Sequence, residues 1–211
     1  KRTRHYLRVG FVGRGDPIKG LHVFSKIANS FRYDDRIKFF VYGPEANPES
    51  EVRKFAFDNM GYLDRDMLMN ELLGLDVVIV PSLREPFGNV VWDCAIAGVK
   101  VWCTRVDGVL EALKVSGLSG FNALPLTKTS SKSPFEKSGY RNMQFQIRHG
   151  YMGFYNHIAR KNIKELDSDI VVRKIKSLLD GSYEAERHKQ TLVTRRINTK
   201  FFIDEMRHLY E

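Results

Sequence analysis

Cysteine is nearly absent from this sequence of 211 residues: Cys94 and Cys103 are the two present, each inside an apolar pattern, Val91 to Ala97 and Val99 to Thr104. Thiols so placed behave as small reduced hydrophobes, which argues against a disulfide or metal framework. The six histidines show neither H-E-x-x-H nor zinc-ribbon spacing, and His149 and His157, eight apart across two glycines, read as surface residues rather than ligands. Long apolar runs are missing too. The longest, Val77 to Pro81, falls far short of the roughly 20 residues a membrane span needs, and no signal-peptide pattern opens the sequence. A soluble, cytoplasmic protein is expected. Neither a sequence repeat nor a long linker marks a second domain.

What is present is an ordinary apolar content, 43%, enough for a real core, and a net charge of +9 that is unevenly spread. Residues 1 to 126 carry 17 Lys and Arg against 15 Asp and Glu, whereas residues 127 to 211 carry 17 against 10. The basic balance is a property of the tail. Charge of one sign suits an anionic membrane surface, nucleic acid or an acidic partner domain, and equally a plain solvated face. The tail carries no nucleic-acid recognition motif, so that partner ranks last.

Along the chain, strand-like and helix-like patterns alternate. Leu7 to Val12 reads as a strand, followed by a glycine-rich loop, Gly13 to Gly20, and a helix in which Leu21, Phe24, Ile27, Ala28 and Phe31 recur at spacings of three and four. Strands are expected again at Ile37 to Tyr42, Asn59 to Leu63, Asp76 to Val80, Val99 to Thr104 and, weakly, near Phe121 to Leu124. Helices are expected at Glu49 to Phe57, Arg65 to Leu75, from the Pro86-Phe87-Gly88 turn to about Gly98, and at Val109 to Val115. Thr127 to Ser138 reads as a polar loop. Beyond it Gly139 to Leu166 reads as two short helices or one kinked helix, and Asp169 to Leu179 and Glu184 to Leu209 as further helices packing on the core. The whole is expected to be one α/β domain: a Rossmann-like parallel sheet covered by helices on both faces through right-handed crossovers, with a C-terminal helical tail.

Ligands of such sheets lie at the carboxyl ends of the strands, where both Gly13 to Gly20 and Ser82 to Asn89 fall. The first loop sets two cations, Arg14 and Lys19, among glycines that let a backbone approach a ligand closely, an arrangement that suits a pyrophosphate as well as it suits a solvated turn. In the second, the Pro86-Phe87-Gly88 turn opens a helix whose first amides have no partner within the helix. Glu85 lies just outside that helix. At ~100° per residue, Val90, Val91, Cys94, Ala95 and Gly98 share an apolar face from which Asp93 is well removed. Two D-x-D triplets, Asp64-Arg65-Asp66 and Asp167-Ser168-Asp169, each stand where a helix begins and read as N-caps rather than a metal site.

Taken together, V-G-R-G-D-P-I-K-G (Val12 to Gly20), G-Y-L-D (Gly61 to Asp64), V-P-S-L-R-E-P-F-G-N-V-V-W-D-C-A-I-A-G (Val80 to Gly98) and G-V-L-E-A-L (Gly108 to Leu113) resemble the donor-binding C-terminal domain of family 4 retaining glycosyltransferases, one half of a GT-B fold. The resemblance runs in order from residue 7 to about 126. It implies that Arg14 and Lys19 grip the diphosphate of a nucleotide-sugar beside Gly13 and Gly15. Glu85, the first acid of an E-x7-E motif, would lie against the donor sugar. The amides of Phe87, Gly88, Asn89 and Val90 would face phosphate, Gly61 to Leu63 would bracket the base, and Asp93 would meet the ribose hydroxyls. With two cations at the diphosphate no metal or other cofactor is implied.

Two departures stand out. Where the family pattern has Glu, Asp93 is shorter by about 1.5 Å, which a bridging water or a shifted helix would have to make up. A GT-B enzyme also has an N-terminal acceptor domain, for which the residues before the first strand leave no room, so that half is expected from a longer protein or a partner chain. The resulting expectation is the donor-binding half of a retaining transferase of the hexosyltransferase type, acting on a glycan or lipid-linked acceptor and weak or inactive alone. It is expected in the cytoplasm, free or peripheral at an anionic membrane surface. The alternative is a non-catalytic, nucleotide-binding or partner-tethering module of the same descent.

Overall fold

The short runs rich in Val, Ile and Phe do form strands, and they lie side by side in one sheet. In this computed structural model, which describes residues 6–44, 56–85, 88–106, 109, 121–129 and 164–181, β1 spans Leu7–Val12, β2 Ile37–Tyr42, β3 Asp58–Gly61, β4 Val77–Val80, β5 Lys100–Thr104 and β6 Phe121–Leu124. Their order is β3-β2-β1-β4-β5-β6, and every pairing is parallel. Parallel neighbours need crossovers, and the described ones contain α1 (Leu21–Asn29), α2 (Arg65–Leu72) and α3 (Asn89–Ala97).

Because successive strand residues point to opposite faces, the sheet builds two cores. Val9, Phe11, Phe39, Val41, Val77, Ile79 and Trp102 pack on one side with α1 and with α4 (Ser168–Leu179), through Phe24, Ile27, Val171 and Ile175. Phe40, Tyr42, Val78, Val80, Val101 and Cys103 pack on the other with Leu72, Leu75, Val91 and Cys94 from α2, its C-terminal turn and α3. Helices thus cover both faces, as the alternation predicts. Gly10 is where Leu75 fills the space a side chain would take.

Element ends follow local chemistry. The third strand stops at Gly61 rather than Leu63 because Gly61 turns to φ 71, and α2 stops at Leu72 rather than Leu75, where Gly74 closes the last turn onto Glu71. The side chain of Asp64 accepts from Met67 N at 2.8 Å and that of Asp167 from Asp169 N at 3.1 Å, so both D-x-D triplets begin with caps.

Two expectations need correction. Leu126–Thr129 is a strand, β7, not the start of a polar loop, and Lys164–Leu166 is a strand, β8, not the end of a helix; the two pair antiparallel. In a ribbon this short the apolar register is the single Leu126–Leu166 pair, with Leu166 in the core. Its polar remainder therefore carries no period that a sequence pattern can register. Through β8 the ribbon reaches α1: His22 Nε2 lies 3.3 Å from Glu165 Oε2, both side chains buried. The expected helices at Glu49–Phe57 (apart from its last two residues), Val109–Val115 (apart from Val109), 139–163 and 184–209, and the remainder of the loop at 130–138, lie outside the described residues.

Candidate functional site

The strand order reverses direction between β1 and β4, the two central strands, a switch point outside whose carboxyl ends ligands of such sheets bind. Two loops meet there. The first leaves β1 at Gly13, whose N–H donates to Tyr42 O at 2.9 Å, and passes Gly15, whose N–H donates to Pro44 O at 3.1 Å. Asp-Pro then starts a short 3-10 turn, Pro17–Lys19: Asp16 Oδ1 accepts from Ile18 N at 2.7 Å, and Pro17 occupies a position with no N–H to satisfy. Gly20 ends the turn at φ 75, where a Cβ would run into the carbonyl oxygen of Pro81. At the next strand end, Gly43 (φ 143) lies against the carbonyl oxygen of Gly13 with the same consequence.

The second loop leaves β4 at Pro81 and is bound to the first by its backbone, Leu83 N donating to Ile18 O at 2.7 Å. Ser82 is buried and its carbonyl accepts from the hydroxyl of Thr104 at the end of β5. Glu85 Oε2 takes Lys19 Nζ at 2.7 Å and, more weakly, Ser82 Oγ at 3.4 Å. Glu85 is largely shielded from solvent and Lys19 a little less. Gly88 (φ 80) then opens α3, its carbonyl taking Val91 N at 2.7 Å, so the amides of Asn89 and Val90 precede the first intrahelical bond. A Cβ on Gly88 would press on Val109 at 2.7 Å.

Charge at these strand ends is arranged in pairs. Arg14 Nη2 is 3.0 Å from Asp16 Oδ2, and burial pushes the Asp16 carboxyl above its ordinary value against the pull of Arg14. Asp93 Oδ1 is 3.0 Å from Arg65 Nη2 at the start of α2. Burial raises the Asp93 carboxyl, and Arg65 opposes it. Among the described residues no three His, Cys, Asp or Glu side chains gather as a metal site.

The predicted residues thus fall into two groups. Gly13, Arg14, Gly15 and Lys19 line the loop after β1, with Glu85 bonded to Lys19 from the loop after β4 and Gly88, Asn89 and Val90 at the start of α3. Asp93 lies one turn further along α3 against Arg65, and Leu63, partly buried, precedes α2. Phe87 lies outside the described residues. Sequence reasoning gave no role to Asp16, Arg65, Ser82 or Thr104. The Asp16-Pro17 pair at the head of a turn was a legible cap signal. Arg65 carried none, because its partner is 28 residues away.

A six-stranded parallel sheet in this order, with helices on both faces, defines a Rossmann-like fold. The sequence profile described as "Glycosyl transferases group 1" matches residues 7–127, and the chain belongs to that family. Among curated proteins it is similar to an "Uncharacterized 42.6 kDa protein in cps region" of Klebsiella pneumoniae, 30% identical over 51% of this chain and 29% of that one. It is also similar to a "Glycogen synthase" of Elusimicrobium minutum, 28% identical over 50% of this chain and 23% of that one. The chain thus matches less than a third of the length of these relatives. Its fold resembles a solved trehalose-6-phosphate synthase described in a study of enzymatic glycosyltransfer with retention, at TM-score 0.53 and 14% identity over 97% of this chain and 46% of that one. It resembles the GtfA/B complex at TM-score 0.50 and 13% identity over 86% of this chain and 37% of that one.

Proposed function

We propose that this domain binds the nucleoside diphosphate sugar of a retaining glycosyltransferase. The observation that carries the reading is the Lys19–Glu85 contact at 2.7 Å. It joins the glycine-rich loop to the loop before α3, so that a cation, a carboxylate and a helix N-terminus converge at one point. A diphosphate at that point meets Arg14, Lys19 and the amides of Gly88, Asn89 and Val90, and a sugar beyond it meets Glu85. The base and ribose then run toward Leu63 and Asp93. With Arg14 and Lys19 to offset its charge, the diphosphate needs no metal.

In transfer with retention, the bond from the anomeric carbon to the diphosphate oxygen breaks, and the acceptor hydroxyl bonds to that carbon on the same face. Its proton passes to the departing phosphate oxygen. The main task is to stabilise charge developing on that oxygen, which preorganised cations and amides do well. Glu85 orients the sugar through the oxygen that Lys19 and Ser82 leave free. Membership of the family supports this reading, as does the likeness in fold to a trehalose-6-phosphate synthase studied for glycosyltransfer with retention. The acceptor, a glycan or lipid-linked sugar, would be held by a second GT-B half, supplied by a longer protein or a partner chain.

The test is calorimetry and thermal shift with UDP-, GDP- and ADP-sugars. At least one should raise the melting temperature, since a ligand of the folded state stabilises by mass action, and Arg14→Ala or Lys19→Ala should weaken it by about tenfold or more, the loss of a hydrogen bond to a charged group. No binding across the panel, or affinity indifferent to both changes, would overturn the proposal. A second reading, a non-catalytic nucleotide-binding module, is favoured by the short Asp93 held by Arg65. It is separated by turnover in a protein that carries both halves.

A further inference from the structure

Arg65 occupies a position that folding alone does not explain. It is the first residue of α2, where the helix dipole disfavours a cation, and its side chain is 75% exposed, so an ion pair made from it adds little stability. Yet its guanidinium reaches across to α3 and takes Oδ1 of Asp93 at 3.0 Å. Asp93 is far less open, at 18% exposure. One acceptor oxygen is thus held, while Oδ2 has no bond from the guanidinium. Asp93 also follows Gly88 by five residues, about 7.5 Å along the helix axis. A diphosphate at the helix start would therefore bring its nucleoside toward this carboxylate.

We infer that Arg65 is a positioning residue for ribose recognition: by holding Oδ1 of Asp93 it turns Oδ2 toward the sugar diol and offsets the shorter reach of Asp relative to Glu. The inference rests on the donor-binding reading above. A carboxylate held by a guanidinium keeps lone pairs for two hydroxyl donors. Left alone, a short side chain on the flank of a helix would sample rotamers in which neither oxygen meets the diol. Burial raises the Asp93 carboxyl and Arg65 opposes that rise, so the guanidinium favours the charged form that accepts from hydroxyls.

The experiment is calorimetric titration of this chain with UDP, GDP and ADP, each compared with its 2′-deoxy and 3′-deoxy counterparts. For the base that binds, the ribose form should be favoured by about tenfold, the worth of a hydrogen bond to a charged group. Arg65→Ala should abolish most of that preference while leaving affinity for the deoxy forms nearly unchanged. Arg65→Lys should restore part of it, and Arg65→Ala combined with Asp93→Ala should match Asp93→Ala alone. A residue with only a structural role would lower affinity for ribose and deoxyribose forms alike. An undiminished preference in Arg65→Ala overturns the inference while donor binding stands, as does a further loss of preference on adding it to Asp93→Ala. Absence of binding by any of the ribose nucleotides removes the donor reading and this inference with it.

Discussion

Asp16 shows how a single buried carboxylate shapes the glycine-rich loop after β1. It caps the turn through Oδ1, faces Arg14 through Oδ2, and is almost wholly out of water. Burial raises its pKa, so between the ordinary 3.8 and that raised value the folded protein holds a proton that the unfolded chain has released. In that window stability falls as pH rises, and above it a constant cost remains. Asp16→Asn keeps the cap acceptor without the charge. Its stability relative to the wild type should therefore rise from pH 3.8 upward and level off, as read by urea denaturation across pH. A relative stability of the variant that falls as pH rises would contradict this. Cys94 and Cys103 illustrate the other fate of a buried titratable group: burial pushes the Cys94 thiol up, and that of Cys103 to about 11. Both stay protonated and inert at neutral pH, as their apolar sequence settings predict.

Among elements, the two loops at the strand ends behave as one. Gly20 admits the Pro81 carbonyl, Leu83 N reaches Ile18 O, and Thr104 fastens the Ser82 carbonyl from the next strand. The loop geometry is therefore held by backbone contacts as well as by the Lys19–Glu85 ion pair. Gly20→Ala forces a left-handed residue to carry a Cβ into a carbonyl oxygen. It should cost about 2 kcal/mol or more in equilibrium unfolding, and weaken donor binding although no ligand contact is removed. A change in stability below about 0.5 kcal/mol, the usual range for surface substitutions, would show that the loops are less tightly coupled than their contacts imply. The glycines and the Asp-Pro cap were visible in the sequence as a turn with a site beside it. That Gly20 is needed because of Pro81 was not, since the two meet only once β1 and β4 are neighbours.

At the scale of the molecule, the described residues form one Rossmann-like sheet with its strand-end loops, and among them no helix is long and apolar enough to cross a membrane. On the proposed donor-binding reading, this chain should bind its donor and transfer sugar to a glycan or lipid-linked acceptor more slowly than a protein that carries both GT-B halves. Transfer by this chain alone, measured by release of nucleoside diphosphate with an acceptor present, at a rate matching the two-half protein would refute that division of labour.

The amino-acid sequence by itself determined the strand and helix alternation, the caps at Asp64 and Asp167, and the glycine, cation and carboxylate positions that point to a phosphate site. Each of these is local, set by a period of two or by a turn residue at a fixed offset. Tertiary structure decided the strand order and, with it, which charges meet: Lys19 with Glu85 across 66 residues, Arg65 with Asp93 across 28, and His22 with Glu165 across 143. It also decided the β7–β8 ribbon, whose polar residues show no periodicity. Ion pairs and short ribbons depend on register and crossover geometry, which a one-dimensional pattern does not contain.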